Sequence, residues 1–90
     1  MNFEMFNTTH PEVYSKLVSL AREARAAGYK KFGIRTLWEH LRWTLAIERG
    51  PNDLFKLNDH LTASYARRIM QAEPDLNGLF EIRERKGCVQ

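Results

Sequence analysis

The chain has 90 residues, of which 43% are hydrophobic and 28% charged, with a formal net charge of +3. This length and composition fit one folded domain and exclude a chain that is disordered for want of apolar residues. No apolar run approaches the roughly 20 residues of a membrane span, and the first residues do not have the pattern of a signal peptide. The single cysteine, Cys88, excludes an internal disulfide framework and favours a reducing cytoplasm.

The first nine residues show neither helical nor strand periodicity. We expect them to form an extended arm, which Phe3 and Phe6 hold against the body of the protein. The domain itself should then span residues 10–86, and residues 87–90 should be a loose tail.

A first helix is predicted to begin after Thr9 and to run to about Ala27. Threonine is a good capping residue, Pro11 is tolerated in a first turn, and Glu12 can reach back to the cap. Gly28 should end the helix, because glycine enters the left-handed conformation that a helix end requires.

A second helix is predicted over residues 34–48, with its end at Gly50, and it has two apolar sides. Because a helix that is apolar on both sides is usually covered on both, we expect it to lie at the centre of the fold. On the second side, Trp43 and Ile47 should pack against the third helix or, alternatively, contact a second copy of the chain. The first side carries Ile34, Leu37, Trp38, Leu41 and Leu45.

A third helix is predicted over residues 59–73, capped by Asn58 or Asp59 and ended by Pro74. Residues 79–85 then alternate between apolar and charged side chains, which is typical of a half-buried strand. Its partner would be residues 55–57 or 31–33. The sequence therefore predicts an α+β, mainly α fold, in which a three-helix core carries a small β-sheet in a winged-helix-like arrangement.

Three blocks of sequence resemble a family of small proteins encoded by bacteriophages and prophages. The resemblance covers most of residues 10–86 and implies a bacterial or viral origin and a cytoplasmic setting. It supplies no catalytic motif. The blocks are KFGIRTLWEHLRW (31–43), FKLNDHLTASYARRIM (55–70) and EPDLNGLFEIRER (73–85).

Catalytic and metal-binding chemistry has little support in the sequence. His10, His40 and His60 fall in three different elements without metal-ligand spacing, and His40 is expected to be a core or interface residue. Cys88 lies near the end of the chain with no identifiable partner. We therefore predict that the protein is not an enzyme and needs no cofactor or metal.

The outer face of the third helix is the strongest candidate for a binding surface. Arginine can donate two hydrogen bonds to guanine, and glutamine matches the edge of adenine, so such a face suits a DNA major groove. The alternative is an ordinary solvated helix face. The residues concerned are Ser64, Arg67, Arg68 and Gln71.

A second candidate is the basic segment from Lys16 to Arg35, which carries six cations against one acid, whereas the rest of the chain carries eight cations and ten acids. A local surplus of this kind suits a polyanion, although cations near a helix C-terminus also complement the helix dipole. The residues expected to meet DNA phosphates are Lys30, Lys31, Arg35, Lys56, Arg83 and Arg85.

The leading hypothesis from the sequence is thus a small DNA-binding protein of phage or prophage origin, whose third helix reads the major groove of double-stranded DNA. A homodimer is one option for its assembly. The alternative is a phage-encoded protein-binding factor that occupies a host protein, such as a component of a defence or transcription system.

Overall fold

The computed structural model describes residues 3–52 and 57–80. Two short 3-10 turns, Asp59–Leu61 and Pro74–Leu76, flank the last helix. The α-helices in the described residues are α1 (Phe3–Thr9), α2 (Pro11–Ala26), α3 (Ile34–Arg49) and α4 (Thr62–Ala72).

Helix α2 confirms the first predicted helix. Its buried side chains recur every three or four residues, so one stripe faces the core. It ends in a Schellman motif, in which the Tyr29 N–H donates to the Ala24 carbonyl (3.2 Å) and the Gly28 N–H to the Arg25 carbonyl (3.0 Å). The motif requires a positive φ at Gly28, which is 106°. The buried residues of α2 are Val13, Leu17, Val18, Ala21 and Ala24.

Helix α3 confirms the second predicted helix, and it runs antiparallel to α2. Arg49 at its end pairs with Glu12 at the start of α2 (3.3 Å), while Lys16 pairs with Glu48 (3.6 Å). Trp38 is fully buried, as predicted, together with Leu37, Leu41 and Leu45.

Helix α4 is the third predicted helix, but it begins later than expected. Asn58 does act as a cap, since its side chain accepts a hydrogen bond from the His60 N–H (2.9 Å), yet the turn that it caps is the 3-10 turn Asp59–Leu61. Helical geometry of the α type starts only at Thr62. The end at Ala72, just before Glu73 and Pro74, agrees with the predicted boundary.

One apolar core joins all four helices. Tyr65 of α4 is fully buried at its centre, where its ring lies 5.6 Å from that of Trp38. From α1, Phe3 packs edge-on against Tyr65 at 4.7 Å, and Phe6 is buried nearby. Burial raises the pKa of the Tyr65 hydroxyl, which keeps this side chain neutral in the core.

The predicted α+β, winged-helix-like fold is wrong: the described residues are all helical or loop, with no strand among them. Leu79 and Phe80 are both buried, so the expected alternation fails where the strand should begin. One backbone hydrogen bond, from the Phe32 N–H to the Leu79 carbonyl (2.9 Å), joins this segment to residues 31–33. Residues 53–56 and 81–85, on which the rest of the predicted sheet falls, lie outside the described residues.

The predicted extended arm is also wrong, because residues 3–9 form α1. Its apolar side chains are held by aromatic contacts with α4, and these tertiary contacts favour a short helix that the sequence alone does not indicate. The expected Thr9 cap is absent as well, since Thr9 belongs to α1. Helix α2 instead follows His10, whose N–H donates to the Phe6 carbonyl at 2.8 Å.

Candidate interaction surfaces

The outer face of α4 is only partly available for binding. Arg67 and Gln71 are exposed, as the sequence predicted, but Ser64 is half-buried. Arg68 is committed to the fold: its guanidinium pairs with Glu4 of α1 and lies over the ring of Phe3 at 5.0 Å. Of the four predicted polar side chains, Arg67 and Gln71 are thus the two that are exposed.

Three of the six cations of the basic segment, Lys16, Arg22 and Arg25, make contacts within the fold. Arg22 binds Glu73 (2.7 Å) and Asp75 (3.0 Å), so it ties α2 to the turn after α4. Its hydrogen bond holds the pKa of the Asp75 carboxyl below its ordinary value. Arg25 donates to the carbonyls of Lys30 (3.0 Å) and Asn77 (3.1 Å).

Lys30, Lys31 and Arg35 remain exposed, and the described residues hold no ion-pair partner for them. They belong to other elements than the outer face of α4. Lys30 and Lys31 lie in the α2–α3 connection, beside residues 77–79. Arg35 lies towards the start of α4, where it helps to lower the pKa of the Asp59 carboxyl after the larger effect of Arg42.

The other predicted phosphate contacts, Lys56, Arg83 and Arg85, lie outside the described residues, as does Cys88.

The outward side of α3 presents the two most exposed large apolar side chains among the described residues. Trp43 is 63% exposed and Ile47 66% exposed, one turn apart on the side opposite Trp38 and Leu41. The prediction that Trp43 packs against the third helix is therefore wrong, and within residues 3–52 and 57–80 helix α3 is covered on one side only. Trp43 and Ile47 together are called the α3 crest below.

A groove runs beside the crest, between α2 and α3. It consists of two adjoining clefts of about 340 Å³ each, which share Leu20 and His40. The cleft at the start of α2 is further lined by Ser15, Lys16, Ser19 and Thr44. The cleft at the α2–α3 connection is further lined by Glu23, Tyr29, Phe32 and Thr36.

The groove is mixed in character, with aromatic side chains at one end and hydroxyls at the other. Tyr29 is 53% exposed and packs edge-on against Phe32 at 5.0 Å. His40 is exposed at the centre of the groove. It was expected to be either a core or an interface residue, and its exposure excludes the core. An interface role stays a prediction. No sequence pattern indicated this groove, although the two-sided apolar pattern of the second helix indicated its neighbour, the crest.

Within the described residues, no group of three histidine, cysteine or acidic side chains is placed to hold a metal ion. His10, His40 and His60 remain in separate elements. None of the helices in this part of the chain is long and apolar enough to cross a membrane.

Comparisons with known proteins add no functional information: no protein family, no curated protein and no solved structure matches this chain.

Proposed function

We propose that this protein is a protein-binding module, which takes an amphipathic helix of another protein on the α2–α3 face. The observation that carries the proposal is the exposure of Trp43 and Ile47 beside a groove. Tryptophan is among the residues enriched at interface hot spots, and an exposed apolar patch rimmed by polar residues is a feature of protein–protein contact sites.

The size of the crest favours a different protein over a second copy of this chain. Trp43 and Ile47 expose roughly 250 Å² of side chain together, judged from their exposed fractions. A two-fold contact through the crest alone would therefore fall well below the ~800 Å² per partner of a typical stable interface. A single helix laid along the groove would cover the crest, His40 and Tyr29 at once, which is the helix-in-groove mode of recognition.

A bacteriophage origin, which stays a prediction, would give this proposal its cellular setting. A phage-encoded factor would meet its partner in the cytoplasm of a bacterial host, and the partner would be a host protein.

A selection from a library of random 16-residue peptides on the immobilised protein tests the proposal. We expect the enriched peptides to bind Trp43→Ala·Ile47→Ala at least ~30-fold more weakly, the effect of losing a hot spot of about 2 kcal/mol. The matched control is Arg67→Ala·Gln71→Ala, which removes two exposed side chains from α4 and should leave binding unchanged.

Three results would contradict the proposal. The library could yield no binder, or the enriched peptides could bind the crest variant as tightly as the parent. Alternatively, sedimentation at micromolar concentration could show a dimer that Trp43→Ala dissociates, in which case the crest serves a second copy.

A second candidate function is DNA binding by the outer face of α4, which the exposure of Arg67 and Gln71 favours. A protein that contacts Z phosphates should bind duplex DNA with a log–log salt slope near −0.9Z. Arg67→Ala·Gln71→Ala should reduce discrimination between duplex sequences, whereas Lys30→Ala·Lys31→Ala should weaken binding to all sequences alike. Absence of binding at about 50 mM salt would exclude this function.

A further inference from the structure

The charge along the α2–α3 groove is distributed unevenly. At the end of the groove near the start of α2, the charged groups are paired with one another: Lys16 with Glu48, and Arg49 with Glu12. This end therefore offers a partner hydroxyls and little net charge.

The opposite end, at the α2–α3 connection, carries free positive charge. Lys30 and Lys31 stand between Tyr29 and Phe32, which line the groove, and both lysines are exposed without an ion-pair partner among the described residues. Glu23 is the single acid that lines this cleft.

The connection that carries these lysines is held in place by specific contacts. Arg25 donates to the Lys30 carbonyl, the Schellman motif fixes the chain at Gly28, and the Phe32 N–H donates to the Leu79 carbonyl. The backbone that carries the two lysines is thus anchored on both sides, so both side chains extend from a defined position next to the groove.

From this arrangement we infer that the partner helix is acidic at one end, and that its carboxylates lie at Lys30 and Lys31 while its apolar side chains cover the groove and the α3 crest. The inference rests on the proposed function, since it names the chemistry of the partner at the same site. Exposed ion pairs add little affinity each, so the carboxylates select and orient the partner while the apolar contacts at Trp43 hold it.

Two synthetic peptides test this inference. Both are 16-residue amphipathic helices with leucines at positions i, i+3, i+4 and i+7 of one face; one carries three glutamates at one end, and the other carries three lysines there. We expect the parent protein to bind the glutamate peptide about five-fold more tightly at 50 mM salt, since two exposed pairs give a few-fold each at most. The preference should fall towards unity at about 0.5 M salt.

Protein variants locate the charge. Lys30→Glu·Lys31→Glu should reverse the preference between the two peptides. Arg35→Glu·Arg67→Glu changes the net charge by the same amount at exposed positions away from the groove, so it should retain the preference for glutamate.

The possible failures separate the two proposals. If the parent binds both peptides equally and Trp43→Ala weakens both, the acidic partner is refuted and the protein-binding function stands. Equal loss of preference in both charge variants would also refute it, because net charge rather than the groove would then be responsible. If neither peptide binds, both proposals fail; a duplex DNA that binds the parent but not Lys30→Glu·Lys31→Glu would then assign the lysines to a nucleic acid.

Discussion

Two tryptophans on α3 provide a direct test of how this fold is built. Trp38 is fully buried and contacts Tyr65, whereas Trp43, less than two turns further along, is 63% exposed. Replacing each by alanine removes the same side chain from the same helix, so helix propensity and chemistry are matched and only the environment differs.

The difference in burial sets the expected loss of stability for each substitution. Truncating a buried tryptophan to alanine leaves a cavity and costs about 3–5 kcal/mol, so Trp38→Ala should lower the melting temperature by at least ~12 °C. A domain of this length has only about 5–13 kcal/mol of stability, so this cost removes a large part of it. Trp43→Ala should change the free energy of unfolding by no more than about 0.5 kcal/mol, because the side chain is already largely in water.

Thermal unfolding by circular dichroism measures both costs, and fluorescence supplies a readout that survives a destabilised variant. Trp43→Phe leaves Trp38 as the single indole, which should be protected from acrylamide. Trp38→Phe leaves Trp43, which should be quenched almost as strongly as free tryptophan. Equal quenching of the two, or equal costs of the two alanine substitutions, would refute both the core and the crest as they are described above.

Two further predictions concern the ends of helices. Arg22 depresses the pKa of Asp75, so this pair contributes stability that is present above the ordinary pKa of 3.8 and is lost as the pH falls through the lower folded value. The melting temperature of Arg22→Ala should therefore fall less steeply between about pH 4 and pH 2 than that of the parent. Lys31→Ala is the control, and its melting temperature should fall as steeply as in the parent. Gly50 ends α3 at φ 88° and ψ 170°, a region almost restricted to glycine, so Gly50→Ala should lower the free energy of chemical unfolding by about 1–3 kcal/mol. Gly33 has an ordinary φ of −77°, so Gly33→Ala should change that free energy by only about 0.5 kcal/mol. Similar costs at both sites would show that backbone strain is not the cause.

The long helices could be predicted from the sequence because local and tertiary preferences agree there. The apolar stripe around Trp38 fixed the buried side of α3, and Gly28 and Gly50 ended α2 and α3 close to the expected residues. In both cases the glycine supplies a backbone conformation that other residues rarely adopt, which makes the end of the helix a local property of the chain.

Helix α1 could not be predicted in this way because seven residues are too few to show a period. A helix of this length is unstable in isolation, and contacts made far away in the sequence must hold it. Phe3 packs on Tyr65, and Glu4 pairs with Arg68. The same contacts hold Arg68 against α1, so it is not free on the surface that was predicted to read DNA. The unpredicted helix therefore made both the predicted fold and the predicted binding surface wrong in part.

The crest shows a different difficulty. An apolar side chain on the second side of a helix predicts that something covers it, but the sequence does not say whether the cover belongs to the same chain. For Trp43 and Ile47 the described part of the chain provides none. A second apolar side of a helix therefore predicts either a core or an interface. When no described residue covers it in the structure, the interface is the better interpretation.

The positive charge that the basic residues offer a partner depends more on whether they are arginines or lysines than on how many there are. Arginine has a planar fork of five donors that can satisfy carboxylates and backbone carbonyls together, and Arg22 and Arg25 use it to join α2 to the turn after α4. Lysine is a hydrated point charge that fixes little, and Lys30 and Lys31 stay in solvent. The positive charge available to a partner is consequently much smaller than the count over residues 16–35 suggests, and it lies at the end of a groove next to an exposed tryptophan. Such a distribution favours a partner that brings apolar side chains with a few carboxylates over one that brings a continuous row of phosphates.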